Sequence, residues 1–172
     1  MSMYKRSRGL ALAIGGLALL AAPMAAPAGA APKPAVACAK LSASTTVNLA
    51  KSTGTVTSNF LTCTPKGLAA GGSSKVTVPL SKLTGTLTTK ITWKGGKGTT
   101  TVTEKFTTQK TIGACPKGTK YRSIITGSVK SSTGAAAKII KKSEPITATV
   151  CTKATSSTKY TSALLKGTKF KL

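Results

Sequence analysis

The chain has 172 residues, and its 26 lysines and arginines stand against only two acids, Glu104 and Glu144, for a formal net charge of +24. It contains no histidine and no aspartate. The usual general bases, nucleophile activators and first-row metal ligands are therefore missing, which excludes most hydrolase and metalloenzyme designs. We expect a protein that is not an enzyme and that has no cofactor.

Residues 1–30 have the pattern of a secretory signal peptide. A basic leader at residues 5–8 is followed by an apolar run at 10–22 and by the small residues 28–30 that a signal peptidase needs. The apolar run is shorter than the roughly 20 residues of a spanning helix. The pattern predicts export without a membrane span.

The rest of the chain divides into a lead-in and one domain. Residues 31–37 are rich in proline and alanine, which predicts a flexible segment, and residues 38–172 form a single β domain. As an alternative, residues 35–38 resemble a lipoprotein box in which Cys38 is acylated, but this would leave an odd number of cysteines. We expect a secreted, extracellular protein that can associate with the cell envelope.

The positive charge indicates the kind of partner. Loss of Lys5, Arg6 and Arg8 with the signal peptide lowers the net charge from +24 to +21, and such a field attracts polyanions. Arg122 is the single arginine that remains, and lysine lacks the guanidinium fork that recognises guanine edges. We predict binding to anionic envelope or extracellular polymers, without sequence-specific nucleic-acid recognition. The alternative is that the lysines only keep the protein soluble.

The chain after residue 30 is rich in threonine, valine and isoleucine, and apolar and polar residues alternate with a period of two, which is the pattern of an all-β domain. Strands are predicted at residues 41–49, 55–63, 75–80, 83–93, 99–109, 120–130, 139–151 and 160–172. Their spacing favours an antiparallel meander that forms a sandwich or an up-and-down barrel, and of the two we favour the sandwich. A short helical turn is expected only at 135–137.

The same alternation assigns side chains to the interior. The residues predicted to point inward are Leu83, Leu87, Ile91 and Trp93, then Val102, Glu104 and Phe106, then Tyr121, Ile125 and Val129, and finally Ile146, Ala148 and Val150.

The four cysteines allow three pairings, between which the sequence does not decide. We favour Cys38 with Cys63 and Cys115 with Cys151, because each bridge then closes a local loop. Each is expected to contribute roughly 3 to 4 kcal/mol on the chain-entropy estimate. A zinc site normally needs C-x-x-C clusters, which are absent, so no metal is expected.

The segment Ile91-Thr92-Trp93-Lys94-Gly95-Gly96-Lys97 predicts a hairpin whose turn uses the two glycines for positive backbone angles. With the Ala/Pro-rich signal and the strands flanked by cysteines, it resembles small exported β proteins of high-GC Gram-positive bacteria. The resemblance implies export and a β fold, and it brings no functional residue. Trp93 is expected to plug the core beside the turn, and its alternative role is stacking on a ligand.

Glu104 and Glu144 both fall on the inward parity of their predicted strands. Paired carboxylates inside a β cavity could act on a glycosidic bond or could contact a cationic ligand. Pro145, in contrast, indicates that Glu144 stands at a strand edge or start, where a lysine can pair with it. Glu104, Glu144 and Trp93 are therefore the candidate ligand contacts, and catalysis is the least favoured role.

Two other functions stay open beside polymer binding. One is a small-ligand carrier whose apolar barrel interior is lined by Trp93, Phe106 and Glu104. The other is an inhibitor or toxin that acts on another protein. A cavity of several hundred Å³ would favour the carrier, whereas a filled core would favour binding through the surface.

Overall fold

The computed structural model describes residues 34–83, 85–110 and 112–172. The predicted signal peptide and the first residues of the lead-in lie outside this part of the chain. In the described part, the strands are β1 (Ala37–Asn48), β2 (Thr53–Thr64), β3 (Gly72–Pro79), β4 (Thr86–Trp93), β5 (Gly98–Gln109), β6 (Tyr121–Ser132), β7 (Pro145–Ala154), β8 (Lys159–Leu164) and β9 (Phe170–Lys171).

Helical structure is sparse. Two 3-10 segments, Lys66–Leu68 and Leu80–Lys82, and one short α-helix, α1 (Ala136–Ile139), are found among the described residues. None of these segments has the length and apolar character of a membrane-spanning helix. The helix α1 overlaps the alanine-rich stretch where a helical turn is expected.

Eight strands, β1 to β8, form a closed antiparallel barrel. Each pairs with the next strand along the chain, and β1 also pairs with β8 in a register that joins Ser42 to Ala163. The all-β meander is thus confirmed, and it takes the barrel form instead of the favoured sandwich. At 12 residues, β1 is long enough to pair with β2 along one edge and with β8 along the other. Closure removes the two free edges of an open sheet. The shortest seam is between β3 and β4, which pair only through Gly72–Ser74 and Ile91–Trp93 near the base.

The largest difference from the predicted strands lies before β7. The sequence pattern predicts a strand from Ile139, but Ala136–Ile139 forms α1 and β7 begins at Pro145. The alanines have high helical propensity, and it prevails over the β preference of the two isoleucines that follow. Leu83 likewise ends a 3-10 turn before β4.

The connections alternate between the two ends of the barrel. We call one end the base: it carries the β2–β3, β4–β5 and β6–β7 connections, the last of which contains α1, together with the chain after β8. We call the other end the mouth: it carries the β1–β2, β3–β4, β5–β6 and β7–β8 connections.

The base is closely packed. Its buried side chains come from strand ends and from the connections: Val36, Leu68, Ile91, Trp93, Val102, Val129, Ile140, Ile146, Phe170 and Leu172. Val36, in the predicted lead-in, exchanges two backbone hydrogen bonds with Leu172. The barrel is therefore filled and closed at this end.

Both favoured disulfides are present. Cys38 and Cys63 face each other across β1 and β2 at the base, and both are buried. The sulfur of Cys38 is therefore not free for the acylation that the lipoprotein alternative needs. Cys115 binds Cys151 and ties the β5–β6 connection to β7. Disulfides of this kind are typical of oxidising, extracellular surroundings.

Candidate functional site

A cavity of about 430 Å³ occupies the barrel between the base and the mouth. Inward-facing residues of all eight barrel strands contribute to its wall, and most of the wall is apolar. The apolar residues are Leu41, Ala43, Val47, Val56, Phe60, Val76, Leu80, Leu83, Leu87, Phe106, Ile125, Val150 and Phe170. The volume lies in the range of about 300 to 1,000 Å³ that is usual for small-molecule sites.

Small side chains explain why this half of the barrel is hollow. Eight wall positions carry serine or threonine: Thr45, Ser58, Ser74, Thr89, Thr108, Ser123, Thr152 and Ser162. An eight-stranded barrel is just wide enough for large side chains to fill. Serine and threonine are too short to meet across it, so the interior stays open.

The cavity runs from a partly exposed rim to a buried floor. Tyr121, at the mouth, is 39% exposed, whereas Leu41 and Ile125 are buried. The rings of Phe60 and Phe170 pack on each other at the floor, with 4.6 Å between their centroids. A molecule inside would therefore have most of its surface covered by the protein.

Glu104 lies deep in this cavity, with only 7% of its surface exposed. It stands near the middle of β5, between Leu87 on β4 and Gly127 on β6. A Cβ atom at Gly127 would collide with the carbonyl oxygen of Thr103. Glycine is thus required by the close approach of the two strands, and the position paired with Glu104 carries no side chain.

Burial raises the pKa of Glu104 from 4.5 to about 7. Desolvation is the one cause of this shift, which means that within the described part of the chain no cation or hydrogen-bond donor compensates it. Among the residues that the structure describes, none that lines the cavity is a lysine or an arginine. A carboxyl group that is partly ionised at neutral pH therefore faces an apolar space without a partner.

The other two candidate contacts lie elsewhere. Trp93 is buried in the base, where its indole Nε1 donates a hydrogen bond to Oγ1 of Thr100 at 2.8 Å. Glu144 is half-buried just before β7, and its backbone carbonyl accepts a hydrogen bond from the amide of Val129 at 2.9 Å. Neither residue lines the cavity. The structure therefore does not bring the two acids together in the cavity.

Sequence reasoning finds Phe106 and Glu104 in the wall but misses its hydroxyl groups. Ser74, Thr89 and Ser123 are buried polar residues of the cavity. Each of these residues stands at an inward-facing position of its strand but is of a type that is normally exposed. This mismatch is the sequence feature that could have revealed them. In the described ranges, no group of three or more His, Cys, Asp or Glu side chains could hold a metal ion.

Comparison with protein-family models, with curated proteins and with solved structures finds no match for this chain. Any functional assignment must therefore be based on the barrel, its cavity and its charges.

Proposed function

We propose that this protein is a secreted, non-enzymatic carrier that binds one small, mostly apolar molecule inside its barrel. The observation that supports this most strongly is the cavity of about 430 Å³, which is open towards the mouth and closed at the base. Eight-stranded barrels whose interior is not filled by side chains can hold a single small ligand. Each Å² of apolar ligand surface removed from water by the wall contributes about 25 cal/mol to binding. The hydroxyl groups can orient a polar substituent.

The proposal can be tested with N-phenyl-1-naphthylamine, an uncharged dye whose emission rises in apolar surroundings. We expect saturable binding at one site per chain. Ser58→Phe should weaken it at least about tenfold, or 1.4 kcal/mol, because residue 58 faces the cavity. Asn59→Phe is the matched control, because the next residue along β2 is exposed and faces outward.

Absence of saturable binding by the wild-type protein would contradict the carrier function. Equal weakening by the two phenylalanine variants would contradict the location of the site inside the barrel.

A second candidate function is retention at an anionic surface or polymer. Its support is the net charge, +24 for the full sequence and +21 without the predicted signal peptide, together with a cavity that no described lysine lines. The positive charge lies on the outer surface of the barrel. Examples are the exposed lysines on the outward faces of β3, β4 and β5: Lys75, Lys90 and Lys105. The two functions use opposite faces of the same wall and are compatible.

Chromatography on heparin tests this second function. Retention should fall steeply as the sodium chloride concentration rises, because bound lysines release counterions from the polymer. Ser58→Phe should be retained like the wild type, since it alters only the inner face. Failure to bind at low salt would contradict a function for the cationic exterior.

A further inference from the structure

Glu104 is an unpaired buried acid in a chain that is rich in cations. Its neighbours across the wall are Leu87 and Thr89 on β4 and Gly127 on β6, and only the threonine hydroxyl among them is polar. An ionised carboxylate in such surroundings is unfavourable unless an opposite charge or hydrogen-bond donors meet it. The described lysines lie outside the cavity. The described residues therefore supply no opposite charge to the ionised form, and a bound molecule could supply one.

The chemistry of the wall selects among the possible partners. A metal ion such as calcium needs six to eight oxygen ligands, and the described residues provide no metal-binding cluster here. An anionic ligand would bring a second negative charge to Glu104. An uncharged ligand would displace water from the carboxyl group and leave it unpaired. A ligand with one positive charge supplies the missing partner, and the apolar wall requires that the rest of the ligand be apolar.

We propose that the ligand is an amphiphilic amine, a compact apolar body that carries one protonated amino group, and that its ammonium pairs with the carboxylate of Glu104. This inference rests on the proposed carrier function and specifies the class of molecule carried. The ammonium lies deep in the cavity, where Thr89, diagonally opposite Glu104 on β4, offers a further hydroxyl acceptor. The apolar body fills the space towards the mouth.

The same geometry makes binding depend on pH. The strands that flank Glu104 present only uncharged residues to it: Leu87, Thr89, Ile125 and Gly127. Tyr121 and Tyr160 are the other titratable side chains of the cavity wall, within the described residues, and they stand towards the mouth. Only the ionised carboxyl group pairs with an ammonium. With the pKa of Glu104 at about 7, affinity for an amine should be constant above neutrality and fall about tenfold per pH unit below it.

Three adamantane derivatives of nearly equal shape test the inference by displacement of N-phenyl-1-naphthylamine. At pH 8, aminoadamantane should bind at least about tenfold more tightly than hydroxyadamantane, a difference of 1.4 kcal/mol. Adamantane carboxylate should bind most weakly. Glu104→Gln should abolish the preference for the amine, because it removes the charge that the ammonium pairs with and that the uncharged alcohol leaves unpaired. Lys105→Gln, the adjacent change on the exposed face of β5, should preserve the preference.

The dye could bind, and yet the amine could displace it no better than the alcohol does. That result would overturn this inference but would leave the carrier function standing. Preference for the carboxylate, or an amine preference that survives Glu104→Gln, would overturn it as well. Failure of the dye itself to bind the wild-type protein would overturn the carrier function and the inference together. An amine preference that is lost only in Glu104→Gln, and that weakens from pH 8 to pH 6, would support both.

Discussion

The base and the cavity half of the barrel are built from the same strands but are packed differently. On β4, Leu87 and Thr89 face the cavity, whereas Ile91 and Trp93 are buried in the filled base. The alternation of buried and exposed residues is the same in both halves. What differs is the volume of the inward residues, and the presence at the base of side chains from the connections. Alternation therefore decides which side chains enter the barrel, and their size decides whether it is filled.

The largest effect expected from this contrast is on stability. Trp93→Ala should lower the free energy of unfolding by about 3 to 5 kcal/mol, because it removes a large buried ring and leaves a void in a packed region. Phe106→Ala should lower it by only about 1 to 2 kcal/mol, since that ring is half-buried and already borders empty space.

Urea unfolding followed by far-ultraviolet circular dichroism measures both variants without relying on the fluorescence of the single tryptophan. Equal losses of stability would show that the two halves do not differ in packing.

A smaller change in stability, a gain instead of a loss, is expected when Glu104 is replaced. Burial raises its pKa from 4.5 to about 7, so between these values the folded state holds a proton that the unfolded state has lost. The stability of the wild type should therefore fall as the pH rises through this window, and should be constant above it. Glu104→Gln lacks this titration and should be more stable than the wild type at pH 8 by about 3 kcal/mol, with little difference at pH 4.

Urea titrations of the two proteins at pH 4, 6 and 8 provide the measurement. A stability difference that is independent of pH would contradict the burial of an unpaired carboxyl group. A stabilising replacement at pH 8 would indicate that the carboxylate is retained for binding rather than for folding.

Local features of this fold are visible in the sequence, and features that depend on distant residues are not. The inward positions of Glu104, Phe106 and Ile125 follow from a period of two along single strands. The pairing of Cys38 with Cys63 is favoured over two other pairings because it closes a local loop, and the two residues do lie opposite each other on β1 and β2.

Closure and the cavity could not be predicted in this way. Closure depends on contact between β1 and β8, which joins residue 42 to residue 163. The cavity depends on the summed volume of side chains from eight strands, which no single segment reveals. Glu144 shows where the alternation rule fails. The rule predicts an inward side chain, but Glu144 precedes the first residue of β7, and the rule holds only within a strand.

If the barrel carries a small molecule, as proposed, the Cys115–Cys151 disulfide has a consequence for the exchange of that molecule. It holds the longest connection at the mouth against the outer face of β7, since the neighbouring residue Val150 points into the barrel. Because this bond tethers the segment to the side of the barrel, we expect a molecule to leave without movement of the segment. Residence time should then depend on how completely the guest fills the void: small guests leave rapidly, and bulky ones leave slowly.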